Sequence, residues 1–466
     1  MNTASMETEE GIGVEALVVP PAPPALLADE GQRASVAVVQ GVVGYAAIIL
    51  LNASTGILTA RALLPAGRGN LAAMILWPLF LAVTTSLGMP SALIYFLRKY
   101  KEESSRLIPT GLIASLLLGC FAALGGAFFL SFWLHNYSRE VVRAAQFFLL
   151  TTPVFAMIET GRAVLEASGS FLASYIVRVS QPAATLVMLL CLLALHRLNP
   201  ISAGFVYTVA SVPTLLIVLS QVRRLAVGRW RMDIASCRLL LSYGIRSYGV
   251  DILGALSLQI DQVLVISLLA PAAMGIYGVT LSLSRMFNLF QNSVVTVLFP
   301  SASGRSADEI RRMTEFSTRV STLMTGSCAA LASLVGPFML KVLYGREYSG
   351  ASLTLDILLV EVTISGAVFV LAQAYMALGR PGIVTIIQSI GLSLSIPMML
   401  ILIPRWGIIG AAAALLTATM ARFLFVYFGF GFILKIRRPD LIPRLSDIQL
   451  MLRTLTMPVS TKRVAR

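Results

Sequence analysis

Charge is scarce in this sequence. Of its 466 residues only 12% are Asp, Glu, Lys or Arg, whereas 57% are hydrophobic and the mean hydropathy is +0.83. A soluble domain carries about a quarter of its residues as charged side chains, so an ordinary soluble fold is excluded. Histidine is nearly missing: His135 and His196 sit far apart at expected helix ends. The four cysteines, Cys120, Cys191, Cys237 and Cys328, show no CxxC or CxxH spacing. That excludes a disulfide framework and a Cys/His metal centre, and the thiols read as small apolar side chains. The outer connections between apolar runs are short and hold no Asp/Glu/His cluster, which argues against a membrane polymerase or glycosyltransferase with its catalytic site in an outer loop. No catalytic residue, metal site or cofactor is expected.

What is present is apolar length. A helix needs about 20 apolar residues to cross a hydrocarbon core, and about twelve such runs follow one another. They fall near 36–60, 71–97, 107–134, 144–165, 173–196 and 201–222, then 245–269, 276–298, 317–343, 353–378, 383–403 and 408–434. The expected fold is an all-α polytopic membrane protein of two six-helix bundles, 33–222 and 240–435. Between them lies a basic connector, 223–239, with Arg223, Arg224, Arg229, Arg231 and Arg238 around Trp230. Residues 1–32, acidic and holding the run PPAPP, read as a disordered arm. Residues 436–466 read as a basic tail in which Leu441, Leu445, Ile448, Leu452 and Leu455 keep the spacing of an interfacial helix.

Lys and Arg crowd into alternate connections. One set holds Arg33, Arg98, Lys99, Lys101, Arg106, Arg162, the connector arginines, Arg305, Arg311, Arg312, Arg380, Lys435, Arg437, Arg438 and Arg444; the other holds Arg61, Arg68, Arg139, Arg143, Arg197, Lys341, Arg346 and Arg405. The richer set marks the cytoplasmic side, with both termini there. The net charge of +14 therefore has a membrane origin, and no nucleic-acid partner is implied.

The two halves repeat. Pro65 and Gly69 frame a Pro-x-x-x-Gly turn that recurs as Pro271 and Gly275, displaced by 206 residues; Gly204 recurs as Gly410 at the same displacement, and Ala167-Ser-Gly169 as Ala377-Leu-Gly379 at 210. Six spans per half make the repeats parallel, with a cavity between them and alternating access by rocking.

Ionisable residues at membrane depth mark substrate or ion paths. Arg178, Arg246, Arg285 and Arg422 fall near mid-membrane with Glu159, Glu166, Asp251, Asp261, Asp356 and Glu361. Arginine suits bidentate contact with phosphate or carboxylate, which points to an anionic ligand. Internal pairing is the competing reading: Asp251 lies five residues from Arg246, and Arg285 could reach Asp261 across the hairpin that joins their helices. Asp356 and Glu361, and with them Asp251 and Asp261, are candidates for coupling to a proton or sodium gradient.

The stretches GILTARALLPAGRGNLAAM, SLGMPSALIYFLRK, IDQVLVISLLAPAAMGIYGV, VLFPSASGR, VLYGREYSGA, ALGRPGIVT and IPRWGIIGAAAALL, in this order over residues 33–435, resemble the Wzx-type polysaccharide flippases of the multidrug/oligosaccharidyl-lipid/polysaccharide exporter superfamily. The resemblance implies a monomeric bacterial inner-membrane protein that turns an undecaprenyl-pyrophosphate-linked oligosaccharide toward the periplasm. The driving force would be a proton or sodium gradient, and the partners a polymerase or glycosyltransferases. It places Arg285 and Arg61 on the pyrophosphate or an acidic sugar and Asp261 at an acidic position of span seven; Arg422 and Arg246 complete the candidate substrate set. A multidrug cation antiporter of the same superfamily and a peptidoglycan-precursor flippase are the alternatives.

Overall fold

The computed structural model describes residues 24–225, 230–291, 294–295, 298 and 305–442. Among them there is no strand. The helices are α1 (Pro24–Thr84), α2 (Met89–Lys99), α3 (Ser104–Trp133), α4 (Arg139–Phe148), α5 (Thr152–Ala167), α6 (Phe171–Ala194), α7 (Pro200–Leu225), α8 (Ile234–Leu268), α9 (Pro271–Arg285), α10 (Ala307–Met339), α11 (Ser352–Ala377) and α12 (Pro381–Phe432). Among the described residues, eight helical stretches are long and apolar enough to cross a membrane, and α8, bent by 55°, makes a ninth if its two parts form one span.

Two of these stretches are hairpins. In α1 the helix breaks at Leu64, at φ 62°, immediately before Pro65. A proline offers no N–H and pushes its predecessor out of helical geometry, so the chain reverses there. Asn52 and Thr55 of the first arm then face Ile75 and Pro78 of the second across one cavity. In α12 the break is Gly407, at φ 57°, where glycine tolerates the left-handed backbone. Gly410 beyond it packs on the Leu402 carbonyl before it, so these arms also run side by side. With α9, the arms and single helices overlap the expected spans in order, but span 71–97 is divided between α1 and α2 and span 144–165 between α4 and α5, and part of span 276–298 lies outside the described residues.

Some boundaries differ from expectation. Helix α1 starts at Pro24, inside the arm expected over 1–32. The Pro-x-x-x-Gly segments were expected to be turns joining helices. Instead Pro271 opens α9 in its first turn, and the chain actually turns at Leu269 and Ala270. Arg162, counted with the connections, lies inside α5, and α10 starts ten residues ahead of its expected span, so it contains Arg311 and Arg312. The expected interfacial helix of the tail, beyond Ile442, lies outside the described residues.

The repeat has a structural counterpart. Gly169 after α5 and Gly379 after α11 are both left-handed, at φ 76° and 71°. Both close the same C-terminal motif: Ser170 N–H donates to Leu165 O at 2.9 Å, and Arg380 N–H to Tyr375 O at 2.8 Å. Gly204 and Gly410 are less alike, since the first packs on the Phe148 ring and the second on a backbone carbonyl.

The halves, α1–α7 and α8–α12, meet at both ends of one seam. At the end holding the α1 and α8–α9 reversals, Gly69 lies against the Pro271 carbonyl and Gly275 against that of Pro65. There too, Asn136 Nδ2 donates to Ser267 O at 3.0 Å and Tyr348 OH to Ala60 O at 3.2 Å. At the opposite end, Gly88 abuts the Gly244 carbonyl, Tyr95 stacks on Tyr243 with ring centroids 4.5 Å apart, and Tyr248 OH donates to Thr84 O. Helix α8 begins there on an Asp233 cap. Hydrogen bonds from the Ser236 hydroxyl and amide hold the Asp233 carboxyl below its ordinary range.

Candidate functional site

Among the described residues, three groups of paired charged side chains hold candidates read from the sequence. The first sits on the α8–α9 hairpin. Asp261 is 1% exposed, and its Oδ2 accepts from Tyr277 OH at 3.0 Å and from Arg285 Nη2 at 3.1 Å. Arg285 also donates through Nη1 to Leu258 O at 3.1 Å, yet a third of its side chain stays exposed. Asp261 Oδ1 is buried and has no partner among the described residues. One carboxylate oxygen is thus fully engaged and the other unused.

The second group joins α11 to the second arm of α12. Thr419 Oγ1 donates to Glu361 Oε1 at 2.6 Å and accepts from Arg422 Nη2 at 2.7 Å; Arg422 and Glu361 approach to 3.9 Å. Gly391 on the facing arm leaves the room that Arg422 occupies.

The third group lies in the other half. Glu159, Arg162 and Glu166 are spaced three and four residues apart, which puts them on one face of α5. Arg162 pairs with Glu159 at 2.5 Å and with Glu166 at 2.7 Å. Glu166 further accepts from Ser174 Oγ at 2.9 Å and pairs with Arg178 of α6 at 3.3 Å. This network forms one wall of a cavity of about 430 Å³ enclosed by both arms of α1 with α5, α6 and α7. Its remaining wall is mixed, with Asn52, Gln181 and Tyr207 among apolar residues such as Phe148 and Phe155.

Of the sequence-derived candidates, Asp261 pairs with Arg285, and Glu361 with Arg422. The others do not join them. Asp356, five residues before Glu361 on α11, accepts instead from Ser333 Oγ of α10 at 2.6 Å. Arg61 is exposed at the reversal end and donates to Val342 O. Arg246 is exposed on α8, and the side chain of Asp251 lies outside the described residues. Internal pairing, the competing reading, describes Arg285, which is matched by Asp261, and Arg422 is likewise matched by Glu361.

Sequence reasoning missed Arg162 of the third group and a separate network on α10 that contains Glu315 and Arg319. Glu315 accepts from Arg311 at 2.7 Å and from Arg319 at 2.8 Å, and Arg319 reaches Asp440 O at 3.2 Å. The signal was the three- and four-residue charge spacing, which puts each arginine and its carboxylates on one helix face.

This architecture has known counterparts. The lipid II flippase MurJ in an inward closed conformation is similar, with a TM-score of 0.73 at 14% identity over 89% of this chain and 90% of that one. The inward-facing conformation of a multidrug resistance transporter of the MATE family gives 0.68 at 13% over 83% and 96%. A transporter of the MOP superfamily from Pyrococcus furiosus gives 0.58 at 13% over 84% and 93%. At such identities the likeness establishes the fold alone. No curated protein matches the sequence. The family described as "Polysaccharide biosynthesis protein" matches residues 58–353, more than half of the chain. The chain therefore belongs to that family of Wzx-like, multi-pass membrane proteins, built on the fold of the MOP-superfamily transporters.

Proposed function

We propose that the protein is a flippase that moves an undecaprenyl-pyrophosphate-linked oligosaccharide from the cytoplasmic to the periplasmic leaflet of a bacterial inner membrane. The product would serve O-antigen, capsule or exopolysaccharide assembly beside polymerases and glycosyltransferases. The basic end of the bundle, with both termini, faces the cytoplasm, following the bias of Lys and Arg.

The observation that carries this reading is the state of Arg285. Its guanidinium is held by a buried carboxylate, yet a third of the side chain stays exposed. A proton or sodium ion on Asp261 cancels the carboxylate charge and frees Arg285 for bidentate contact with a phosphate. Substrate capture and ion uptake are then linked through one pair. Glu361 and Arg422, joined through Thr419, extend the linkage into α11 and α12. In this reading Arg61 and Arg246 meet the anionic head on its way, with Asp251 and Asp356 as subsidiary acidic positions. Rocking of the halves about their seam supplies alternating access.

The test is accumulation of lipid-linked oligosaccharide on the cytoplasmic side in cells lacking the protein, with rescue by wild type and failure of Arg285→Ala and Asp261→Asn. If no such intermediate builds up and the cells become sensitive to cationic compounds, the protein is a cation exporter. Accumulation of a peptidoglycan precursor instead would identify that lipid as the substrate.

A further inference from the structure

The cavity in the α1–α7 half lies apart from the Asp261 and Glu361 groups, and nothing in the coupling scheme uses it. We infer that this cavity binds the sugar portion of the transported lipid, an inference that rests on the flippase reading above.

Its chemistry suits a hydroxylated, uncharged ring better than an ion. Arg162 stands between Glu159 and Glu166, and Arg178 closes on Glu166, so two cations meet two anions and the network as a whole carries no net formal charge. Toward the open space, Asn52, Gln181 and Tyr207 present polar ends that make no side-chain hydrogen bond among the described residues. An amide or a phenol both donates and accepts, and a sugar hydroxyl does the same. The ring of Phe155 lies on the same wall and offers an apolar face. A volume of about 430 Å³ is in the range of small-molecule sites, and convergent polar groups on a largely apolar wall are their usual composition. The polyprenyl tail needs no place there, because it stays in the lipid while the head crosses.

Capture of the sugar tests this in the full-length protein in cells fed a radiolabelled sugar. A Gln181→p-benzoylphenylalanine variant is irradiated and the label on the protein counted, with Leu124→p-benzoylphenylalanine as a lipid-facing control, since Leu124 is 74% exposed on α3. The expected result is sugar label at position 181 and none at 124. Asn52→Ala should lower the yield by roughly three- to tenfold, the effect of one lost hydrogen bond on affinity. Tyr207→Phe, which keeps the ring and the packing, should do the same. Label found only when the photoprobe replaces Thr419 would overturn the cavity assignment and leave the flippase reading intact. So would equal competition at 181 by undecaprenyl phosphate lacking sugar, or by tetraphenylphosphonium. No sugar label at either position, together with no lipid-linked intermediate in deletion cells, would sink the flippase reading itself.

Discussion

Gly69 and Gly275 sit back to back across the seam between the two halves. A β-carbon added to Gly69 would collide with the Pro271 carbonyl, and one added to Gly275 with the Pro65 carbonyl. The contact is reciprocal, residue for repeated residue, as expected where a two-fold axis relates two copies of one motif. Because the obstacle is backbone on both sides, no rotamer change relieves it. Gly69→Ala and Gly275→Ala should each hold the halves apart at this end, at a cost of about 1–3 kcal/mol. Spin labels across the seam would read a longer distance and flipping would fall. Gly56→Ala, with open space around it, should change neither.

Removing Arg285 strands a buried charge. Arg285→Ala should destabilise the protein by about 3 kcal/mol, the low end for a broken buried pair because Arg285 is one-third exposed. Asp261→Asn should restore much of this in the double variant. A thermal-melt cycle in detergent measures both, and simple additivity of the two losses would show that the pair is not coupled.

The arginines of the α5–α6 network should differ sharply. Arg162 carries two ion pairs with 19% of its side chain exposed, and Arg178 carries one with 43% exposed. Arg162→Gln should therefore cost about 3 kcal/mol and Arg178→Gln under about 1 kcal/mol. Equal melting shifts would contradict the geometry.

Thr419 is the hinge of the α11–α12 group. Thr419→Val keeps the shape and removes the hydroxyl that bridges Glu361 and Arg422, at about 1–3 kcal/mol. Thr419→Ser should behave as wild type. The same pair of variants, assayed for dependence on proton and sodium gradients, separates a coupling role from a packing role.

Asp233 gives a pH-dependent signature. Its lowered carboxyl stabilises the start of α8 while ionised, so protection should be complete above the ordinary carboxylate range near about pH 4 and fade as pH falls through the depressed value. Hydrogen exchange at Ser236 and Cys237 would show the step, and Asp233→Ala should abolish it.

Much of the fold could be read from residue order. Pro65 and Gly407 sit where apolar runs must reverse, and Gly169 and Gly379 where helices must end, because these residues act through local backbone geometry. The Arg285–Asp261 pair was open to sequence reasoning only as one possibility, since two helices joined by a short turn bring such residues within reach without saying that they touch. Arg162 and Arg319 escaped because each lies only a few residues inside the end of an expected span, where a charge looks able to reach the headgroups, and their pairing depends on carboxylates three and four residues away on the same helix face.

The sequence by itself determined the solvent and the secondary structure: apolar length demands a bilayer, and a bilayer demands helices, because backbone polar groups there have no water to bond. It also determined the duplication, carried by turn residues whose steric roles are local. Only the tertiary structure decided which charges neutralise one another, which leave an open cavity, and that Gly69 meets Gly275. Those outcomes depend on distances between helices far apart in the chain, and side-chain spacing along one helix carries no record of what stands across from it.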